Sequence, residues 1–335
     1  MMLAASSAPE GPRWGRVALI VAVALALPFF VSNYTVFQLS MVVAYAIALV
    51  GLNLLTGFSG QISLGHGAFF AIGAYTAAIM MDRYELPYWS TIPAAALICL
   101  VAGFLFGLPA LKLEGHYLAL ATYALAVALP QLLKFKHLEG FTGGVQGIVI
   151  IKPDPPVREI LGLAINADRW MYLFSLAVAL LMFWIGWNLI RGRIGRALIA
   201  IRDQPIAAAS MGINMPIYKS LAFGISALYT GVAGALSAIL VAFVAPDSFN
   251  VLLSITLMVG MVIGGIATLS GAIWGALFVQ FIPNIADQIS KAAPWAIYGV
   301  TLILFMYLMP GGIAGGLRML AVRLRALRAR GAGAP

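Results

Sequence analysis

The stretch that organises this chain is RGRIGRALIAIRDQPIAAASMGINMPIYK, residues 191–219. It carries five basic side chains within an otherwise almost entirely apolar half of the chain, which makes it too polar to lie in hydrocarbon. Within it, Pro205 is followed by IAAASMG at 206–212, a run rich in small side chains. A proline in the first turn, followed by small residues, is typical of a short helix. We therefore predict a short docking helix on a surface loop between two membrane spans.

Composition places the chain in a membrane. Of its 335 residues, 62% are hydrophobic and 9% are charged, and the mean hydropathy is +0.99. Soluble domains carry about a quarter of charged residues, so the sequence predicts a protein that crosses a membrane several times. The single cysteine, Cys99, excludes an internal disulfide and leaves a thiol-based mechanism without a partner. The net charge of +9 comes from loops beside the spans, which favours membrane orientation over nucleic-acid binding.

The N-terminal part of the chain resembles a secretory signal, because a basic flank ending at Arg16 precedes the apolar residues 17–30. The residues that follow, 31–34, offer no small-residue cleavage site. We therefore predict that this segment is retained as a membrane span.

Apolar runs of about 20 residues, the length of one helical crossing, recur along the chain. We predict an all-α, polytopic transmembrane helical bundle of about ten spans with broken or re-entrant glycine-rich segments. The predicted spans lie near residues 17–33, 35–56, 68–81, 92–111, 117–133, 170–190, 220–245, 251–266, 271–287 and 294–310.

The distribution of charge predicts which loops face the cytoplasm. With an inner N-terminus and ten crossings, the inner segments hold thirteen basic and three acidic residues, and the outer segments hold seven basic and eight acidic ones. This asymmetry follows the positive-inside rule and puts both termini in the cytoplasm. The predicted organisation is a cytoplasmic segment 1–16, a membrane domain 17–312 and a basic tail 313–335 that lies on the inner surface. The domain contains an external loop 134–169 and the cytoplasmic loop 191–219.

Two glycine-rich segments interrupt the apolar pattern, GFSGQISLGHG at 57–67 and GGIATLSG at 264–271. Unwound backbone at membrane depth is tolerated where protein or a water-filled cavity covers it, so such segments often line a path. Close helix packing through small residues is the simpler interpretation. The first segment carries Ser59, Gln61, Ser63 and His66, which favours a path there. For the second segment, packing is the stronger interpretation.

The predicted external loop has its own turn signals, since FTGGVQG at 141–147 places two glycines after Thr142. A loop this long without a strand pattern indicates a functional or docking surface. A solvated connector that turns at Gly143 and Gly144 is an equally open interpretation.

Six stretches, in one order, together resemble the LivM-type permeases of high-affinity branched-chain amino acid ABC importers. The resemblance covers roughly residues 40–312. The stretches are GLNLLTG (51–57) running into GQISLGHGAF (60–69), GHYLALAT (115–122), TGG (142–144) with Gly147, IAA (206–208) with MGIN (211–214), PDSF (246–249) and GGIATLSG (264–271).

The resemblance implies a transport subunit of the bacterial plasma (inner) membrane that works with other proteins. These are a LivH-type second permease, two cytoplasmic ATPase subunits and an external or periplasmic substrate-binding protein. ATP and Mg would bind the ATPases, since neither glycine-rich segment carries the lysine of a phosphate-cradling loop. We expect no catalytic residue, metal or cofactor in this chain.

The resemblance also assigns roles to particular residues. A coupling helix at 202–212 would be gripped by an ATPase through Arg202, Asp203, Pro205, Ala207, Ala208 and Gly212. The translocation path would be lined by Gly57, Ser59, Gly60, Gln61, Ser63, Gly65, His66, Gly264 and Gly265. The external binding protein would contact Thr142, Gly143 and Gly144. The sequence departs from the family in two places. The family often has an acidic residue next to the coupling helix, and here Asp203 is the only candidate, followed by Gln204-Pro205. Near the C-terminus, Pro310-Gly311-Gly312 replaces the family's usual basic residue and proline before glycine-leucine.

Three alternatives are weighed against this interpretation. The run containing Ser59 resembles the nucleophile motif of rhomboid proteases, which needs a histidine from another span. An ion-coupled carrier would place an ionisable group inside a span, where only Asp287 comes close. Within the family, the cargo could also be urea, short amides or other amino acids.

Overall fold

The computed structural model describes residues 14–331, apart from 112, 114, 157–158, 161–162, 290 and 292–293. Sequence predictions for residues 1–13, Lys112, Glu114, Arg158 and 332–335 therefore lie outside the described residues. The helices are α1 Trp14–Ala26, α2 Asn33–Leu52, α3 His66–Asp82, α4 Tyr88–Ala110, α5 His116–Leu133, α6 Glu139–Thr142, α7 Ala167–Arg191, α8 Arg193–Asp203, α9 Pro205–Ser210, α10 Met215–Val241, α11 Val251–Gly264, α12 Leu269–Ile289, α13 Pro294–Leu308 and α14 Gly312–Gly331.

Within the described residues, four short strands make two small antiparallel pairs. Strand β1, Ile148–Val149, pairs with β4, Phe243–Val244; strand β2, Glu159–Ile160, pairs with β3, Leu163–Ala164. The first pair joins the long loop after α5 to the segment after α10, two stretches that are far apart in the sequence. The chain is otherwise an all-α bundle, as predicted.

Helices lie at all ten predicted positions, but within the described residues only seven are long and apolar enough to cross a membrane. Helices α1, α3 and α11, with 13, 17 and 14 residues, are not among the seven. Helix α13 has 15 residues and is counted because its apolar segment continues into α14, from Ala296 to Val322. A helix of 14 residues is about 21 Å long, less than the roughly 30 Å of a hydrocarbon core. The count of ten complete crossings therefore stays a prediction.

Helix α10 is the centre of the bundle and packs against α2, α3 and α4. It is buried along nearly its whole length, from Ser220 to Leu240. Glycines let its backbone approach its neighbours: a Cβ on Gly73 of α3 would lie 2.0 Å from the Gly231 carbonyl oxygen, and one on Gly234 would lie 2.0 Å from that of Phe70. Such small-residue contacts are how helices pack closely where lipid supplies no hydrophobic driving force.

Two loops lie at opposite ends of the bundle. Helix α7 has 25 residues and is therefore about 37 Å long. The long loop after α5 leads into its first residue, and residues 191–219 follow its last. The structure thus separates the two loops as the charge count requires; which end faces the cytoplasm stays a prediction.

Candidate transport site

The polar stretch 191–219 folds into two helices rather than one. Helix α8 buries Ala197, Leu198 and Ile201 against the bundle and ends at Asp203. Gln204 then has φ −149° and ψ 83°, because the residue before a proline is disfavoured in the helical region, and α9 begins at Pro205. The predicted helix at 202–212 is therefore shorter than expected.

The residues predicted to couple to an ATPase are distributed over this helix pair. Arg202 and Asp203 end α8, and Ala207 and Ala208 lie within α9. Gly212 lies in the turn after α9, with φ +82° and no atom within 4 Å of a Cβ added to it. The surface of α9 is apolar: Ile206 and, just after the helix, Met211 are each 84% exposed, while Ala208 is buried.

Arg202 connects this helix pair to the first glycine-rich segment. Its Nη1 donates to the carbonyl oxygen of Gly57 at 2.7 Å, and its Nε donates to Asp203 Oδ1 at 2.8 Å. A Cβ on Gly60 would lie only 2.9 Å from Arg202 Cγ, and Gly60 has φ +76°, so a glycine is required there for both reasons. Residues predicted separately as coupling elements and as path-lining elements are in direct contact.

The first glycine-rich segment begins where α2 changes its winding. Residues Asn53–Phe58 form a π-helical turn, a local change in hydrogen bonding that often marks functional positions. Non-helical residues follow as far as Gly65, and α3 begins at His66. Protein groups satisfy part of the backbone of the break: Thr56 Oγ1 donates to the Gln61 carbonyl oxygen at 3.0 Å, and Leu64 N donates to Thr122 Oγ1 at 2.9 Å.

A cavity of about 210 Å³ lies beside this segment. Gln61 Nε2 donates to Ser59 Oγ at 2.5 Å and, at 3.4 Å, to the Lys219 carbonyl oxygen. Of the predicted path residues, the cavity contacts Ser59, Gly60 and Gln61. Its lining is completed by Ile62, Leu113, Gly115, Leu118, Ile201, Arg202, Pro205 and Lys219.

Ser63 and His66 belong to a buried hydrogen-bond chain instead. Ser226 Oγ donates to the Gly51 carbonyl oxygen at 2.6 Å, so the His66 Nε2 hydrogen must point to Ser226 Oγ, 2.6 Å away. The Nδ1 atom is then an acceptor and takes the hydroxyl hydrogen of Ser63 at 3.1 Å. This neutral tautomer ties α3 to α10 and α2, and neither Ser63 nor His66 contacts the cavity.

Asn53, which sequence reasoning did not select, joins the two glycine-rich segments. It is 1% exposed, and its Nδ2 donates to the carbonyl oxygens of Thr268 at 2.9 Å and Gly265 at 3.3 Å. Its Oδ1 accepts from Ala267 N at 2.7 Å. A polar residue in an apolar span, just before a glycine-rich break, is the sequence signal that could have found it.

The second glycine-rich segment is closely packed. A Cβ on Gly264 would lie 2.0 Å from the Gly271 carbonyl oxygen, and one on Gly275 would lie 2.1 Å from that of Gly260. Gly265 adopts φ +125°, which a side chain would strain. Neither Gly264 nor Gly265 contacts the cavity beside Gln61, and these close contacts agree with the packing interpretation.

The turn at residues 142–144 is stabilised by the side chain of Thr142. Thr142 is buried, and its hydroxyl donates to the carbonyl oxygen of Leu133 at 2.8 Å and accepts from Gly144 N at 3.2 Å. Gly143 and Gly144 have φ +71° and +56°. The three residues predicted to contact a binding protein thus shape the turn, whereas Phe141 and Val145 beside them are exposed.

The contacts of Ser59 and His66 do not form a protease dyad. Ser59 bonds to Gln61, and His66 bonds to Ser63 and Ser226. Asp287 is exposed near the end of α12, and the buried polar side chains of the described residues include no Asp or Glu. The arrangement is that of a neutral, hydrogen-bonded break in the bundle beside the helix pair α8 and α9.

Comparison with known proteins assigns the family. Residues 34–309 match the family of the permease component of branched-chain amino acid transport systems. The chain is 34% identical to the high-affinity branched-chain amino acid transport system permease protein LivM of Escherichia coli K12, over 89% of this chain and 73% of that protein.

More distant relatives include two further permease proteins. One is BraD of Pseudomonas aeruginosa, named as a high-affinity branched-chain amino acid permease, at 23% identity over 81% of this chain and 91% of that protein. Another is LsrC of Salmonella typhi, named as an autoinducer 2 import permease, at 26% identity over 75% of this chain and 70% of that protein. No solved structure matches the chain. The chain therefore belongs to the branched-chain amino acid transport permease family.

Proposed function

We propose that this protein is the membrane permease subunit of an ATP-binding cassette importer that moves branched-chain amino acids into the cytoplasm. The observation that carries the proposal is the contact of Arg202 with Gly57 and Gly60. This contact joins the helix pair α8 and α9 to the break after α2, which lines a cavity. The exposed surface of α9 is suited to a groove on a partner. The function named for the LivM relative supports the choice of cargo.

The energy for transport comes from other subunits in this proposal. The two glycine-rich segments carry no lysine, so they lack the group that a phosphate-binding loop uses to reach a nucleotide. We propose two cytoplasmic ATPases that bind ATP and Mg, a LivH-type second permease and an external substrate-binding protein. The ATPases would contact the exposed surface of α9, where Ile206 and Ala207 are exposed.

We place the assembly in the bacterial inner membrane, with both termini and residues 191–219 in the cytoplasm. The charge asymmetry between the two sets of loops supports this orientation. Residues 134–169 would then meet the external binding protein.

The cavity beside Gln61 suits a neutral zwitterion that must leave as readily as it arrives. Ser59 and Gln61 supply a hydroxyl and an amide without a buried carboxylate that would hold a cation. Because the Ser59 and Gln61 side chains already bond each other, we propose that they exchange this bond for one to the cargo. Ser63, His66, Gly264 and Gly265 do not contact the cavity in this structure, and any part they take in the path would require a rearrangement of the break.

The experiment is uptake by the complete assembly, purified with its co-expressed partners and reconstituted in proteoliposomes. Radiolabelled leucine should enter only with ATP present and its binding protein outside. Uptake that needs an ion gradient and no ATP would indicate a secondary carrier and refute the proposal. Competition by unlabelled isoleucine and valine, but not by urea, acetamide or autoinducer 2, would confirm the cargo class.

The path is tested by Ser59→Ala and Gln61→Ala, with Ser90→Ala as a matched control. Ser90 Oγ bonds locally to the Pro87 carbonyl oxygen at the opposite end of α4 from the cavity. We expect both path variants to change the uptake rate while Ser90→Ala matches the unaltered protein. Equal rates for all three variants would remove Ser59 and Gln61 from the path.

A further inference from the structure

The contact between Arg202 and Gly57 satisfies a group that the helix break would otherwise leave unpaired. The last carbonyls of a helix have no partner within it and carry partial negative charge. Gly57 lies in the final turn after α2, and its carbonyl oxygen receives the guanidinium hydrogen of Arg202 at 2.7 Å. Charged donors of this kind make the stronger class of hydrogen bond.

Asp203 and Gly60 also restrict the position of the Arg202 side chain. Asp203 accepts from Nε of the same guanidinium at 2.8 Å, which fixes the plane of the group. The aliphatic part of the side chain packs on Gly60, where a Cβ would come within 2.9 Å of Arg202 Cγ. A hydrogen bond in one direction and a steric contact in another leave the turn little freedom to move relative to the end of α8.

The same turn continues into the second glycine-rich segment. A Cβ on Gly57 would lie 2.1 Å from Asn53 Oδ1 and 2.7 Å from Ala267 N, so these groups are packed without space between them. Asn53 in turn holds the backbone of Gly265, Ala267 and Thr268. The physical contacts therefore run from α9 through Arg202 and Gly57 to the loop between α11 and α12.

We propose that Arg202 is a positioning residue that makes the end of α8 and the turn at Gly57–Gly60 move as one body. A displacement of α9 by a partner would then reach both glycine-rich segments through this guanidinium, beside the hydrogen bond of Gln61 to the Lys219 carbonyl oxygen. The inference rests on the proposed function only for the source of the displacement. Spatial continuity alone does not establish coupling, so the test measures coupling directly.

The first measurement does not depend on the cargo. Amide hydrogen exchange is measured in the purified assembly that carries Arg202→Met. Arg196→Met is the matched control, because Arg196 belongs to the same helix and its guanidinium bonds locally, to the Arg191 carbonyl oxygen. We expect the amides of Gln61 and Ala267 to exchange about tenfold faster in Arg202→Met, as loss of a hydrogen bond to a charged group implies. Unchanged exchange at both amides would overturn the proposal.

A conservative variant protects this test against misfolding. In Arg202→Lys a single ammonium can still reach the Gly57 carbonyl but cannot hold Asp203 with a planar fork. Exchange at Gln61 should then lie between that of the unaltered protein and that of Arg202→Met. Faster exchange throughout α10 in both variants would mean general unfolding and would overturn the assignment of a local role.

The second measurement is ATP-driven uptake by the same variants. Arg202→Met should lose uptake, because the end of α8 no longer moves the turn at Gly57. Arg202→Lys should keep part of the uptake, and Arg196→Met should match the unaltered protein.

The outcomes separate this inference from the proposed function. If Arg202→Met imports amino acid at the rate of the unaltered protein, the guanidinium does not transmit the motion and the proposal is wrong. An equal loss of uptake in Arg196→Met would also contradict it, since the loss would not depend on the contact with Gly57. If the unaltered assembly imports no amino acid, the proposed function fails, and the exchange measurement still decides the role of Arg202.

Discussion

Replacing Asn53 by alanine should release the loop between α11 and α12 from the end of α2. The side chain makes three hydrogen bonds to that loop, to the carbonyl oxygens of Gly265 and Thr268 and to the amide of Ala267. Because Asn53 is almost completely buried, water cannot replace these partners. At about 1 kcal/mol for each bond, the free energy of unfolding should fall by about 3 kcal/mol.

The chain supplies its own reporter for this experiment. Cys99 of α4 is the single cysteine and is fully buried against α3 and α10. A thiol-reactive fluorophore therefore reacts with it when the protein unfolds, and no cysteine has to be introduced. For a chain of this size, 3 kcal/mol corresponds to a fall in Tm of about 4 °C. Asn53→Asp keeps the acceptor for Ala267 N but turns an oxygen toward two carbonyls, so it should destabilise by a comparable amount.

Asn284→Ala is the matched control, because Asn284 bonds once, to the carbonyl oxygen of Gln280 on its own helix. Its cost should stay below about 1 kcal/mol, the value for one such bond. A Tm for Asn53→Ala equal to that of Asn284→Ala would refute the reasoning. The loop would then be held by its glycine contacts alone.

Three further predictions concern the packing, the buried histidine and the docking turn. Gly73→Ala should force α3 away from the backbone of α10 and lower the yield and Tm of the assembled protein, whereas Gly299→Ala, with open space around it, should match the unaltered protein in the same melt. Ser226→Ala leaves the Nε2 hydrogen of His66 without its acceptor and should lower the free energy of unfolding by about 2 kcal/mol in the thiol-reporter melt. A Tm equal to that of the unaltered protein would show that this hydrogen-bond chain does not stabilise the fold. Gly212→Trp should insert normally, because no atom lies within 4 Å of the added Cβ. The positive φ of this residue and the bulky ring should disturb the turn after α9, so ATP hydrolysis in proteoliposomes should no longer drive uptake. Normal uptake would refute the docking assignment.

Much of the helical architecture followed from the sequence. Runs of apolar residues long enough to cross hydrocarbon mark the spans, and Pro205 marks the start of α9, because both signals are local. The extended residue Gln204, which separates α8 from α9, also follows from a local rule, yet the single helix expected at 202–212 overlooked it. The lengths of α1 and α11 were overestimated, since apolar residues continue past the points where these helices end, whereas α3 is longer than the predicted span at 68–81.

The candidate site was predicted only in part. Ser59, Gly60 and Gln61 line a cavity, but Ser63 and His66 bond to α10 and α2, although all five belong to one glycine-rich run. Alternating polar residues on a non-helical segment point in different directions, and composition does not report which direction each takes. Thr142 likewise carries the right chemistry for a surface contact and is buried by its own turn.

The amino-acid sequence by itself determined that this chain is a helical membrane protein, where its polar stretch lies and which family its motifs resemble. These properties depend on transfer of residues into hydrocarbon and on local backbone preferences, and both act within about 20 residues. Only the tertiary structure decided that Arg202 meets Gly57, 145 residues away, and that Asn53 meets Ala267, 214 residues away. Each polar group buried among packed helices needs a partner, and the partner is whichever group the packing brings within hydrogen-bond distance.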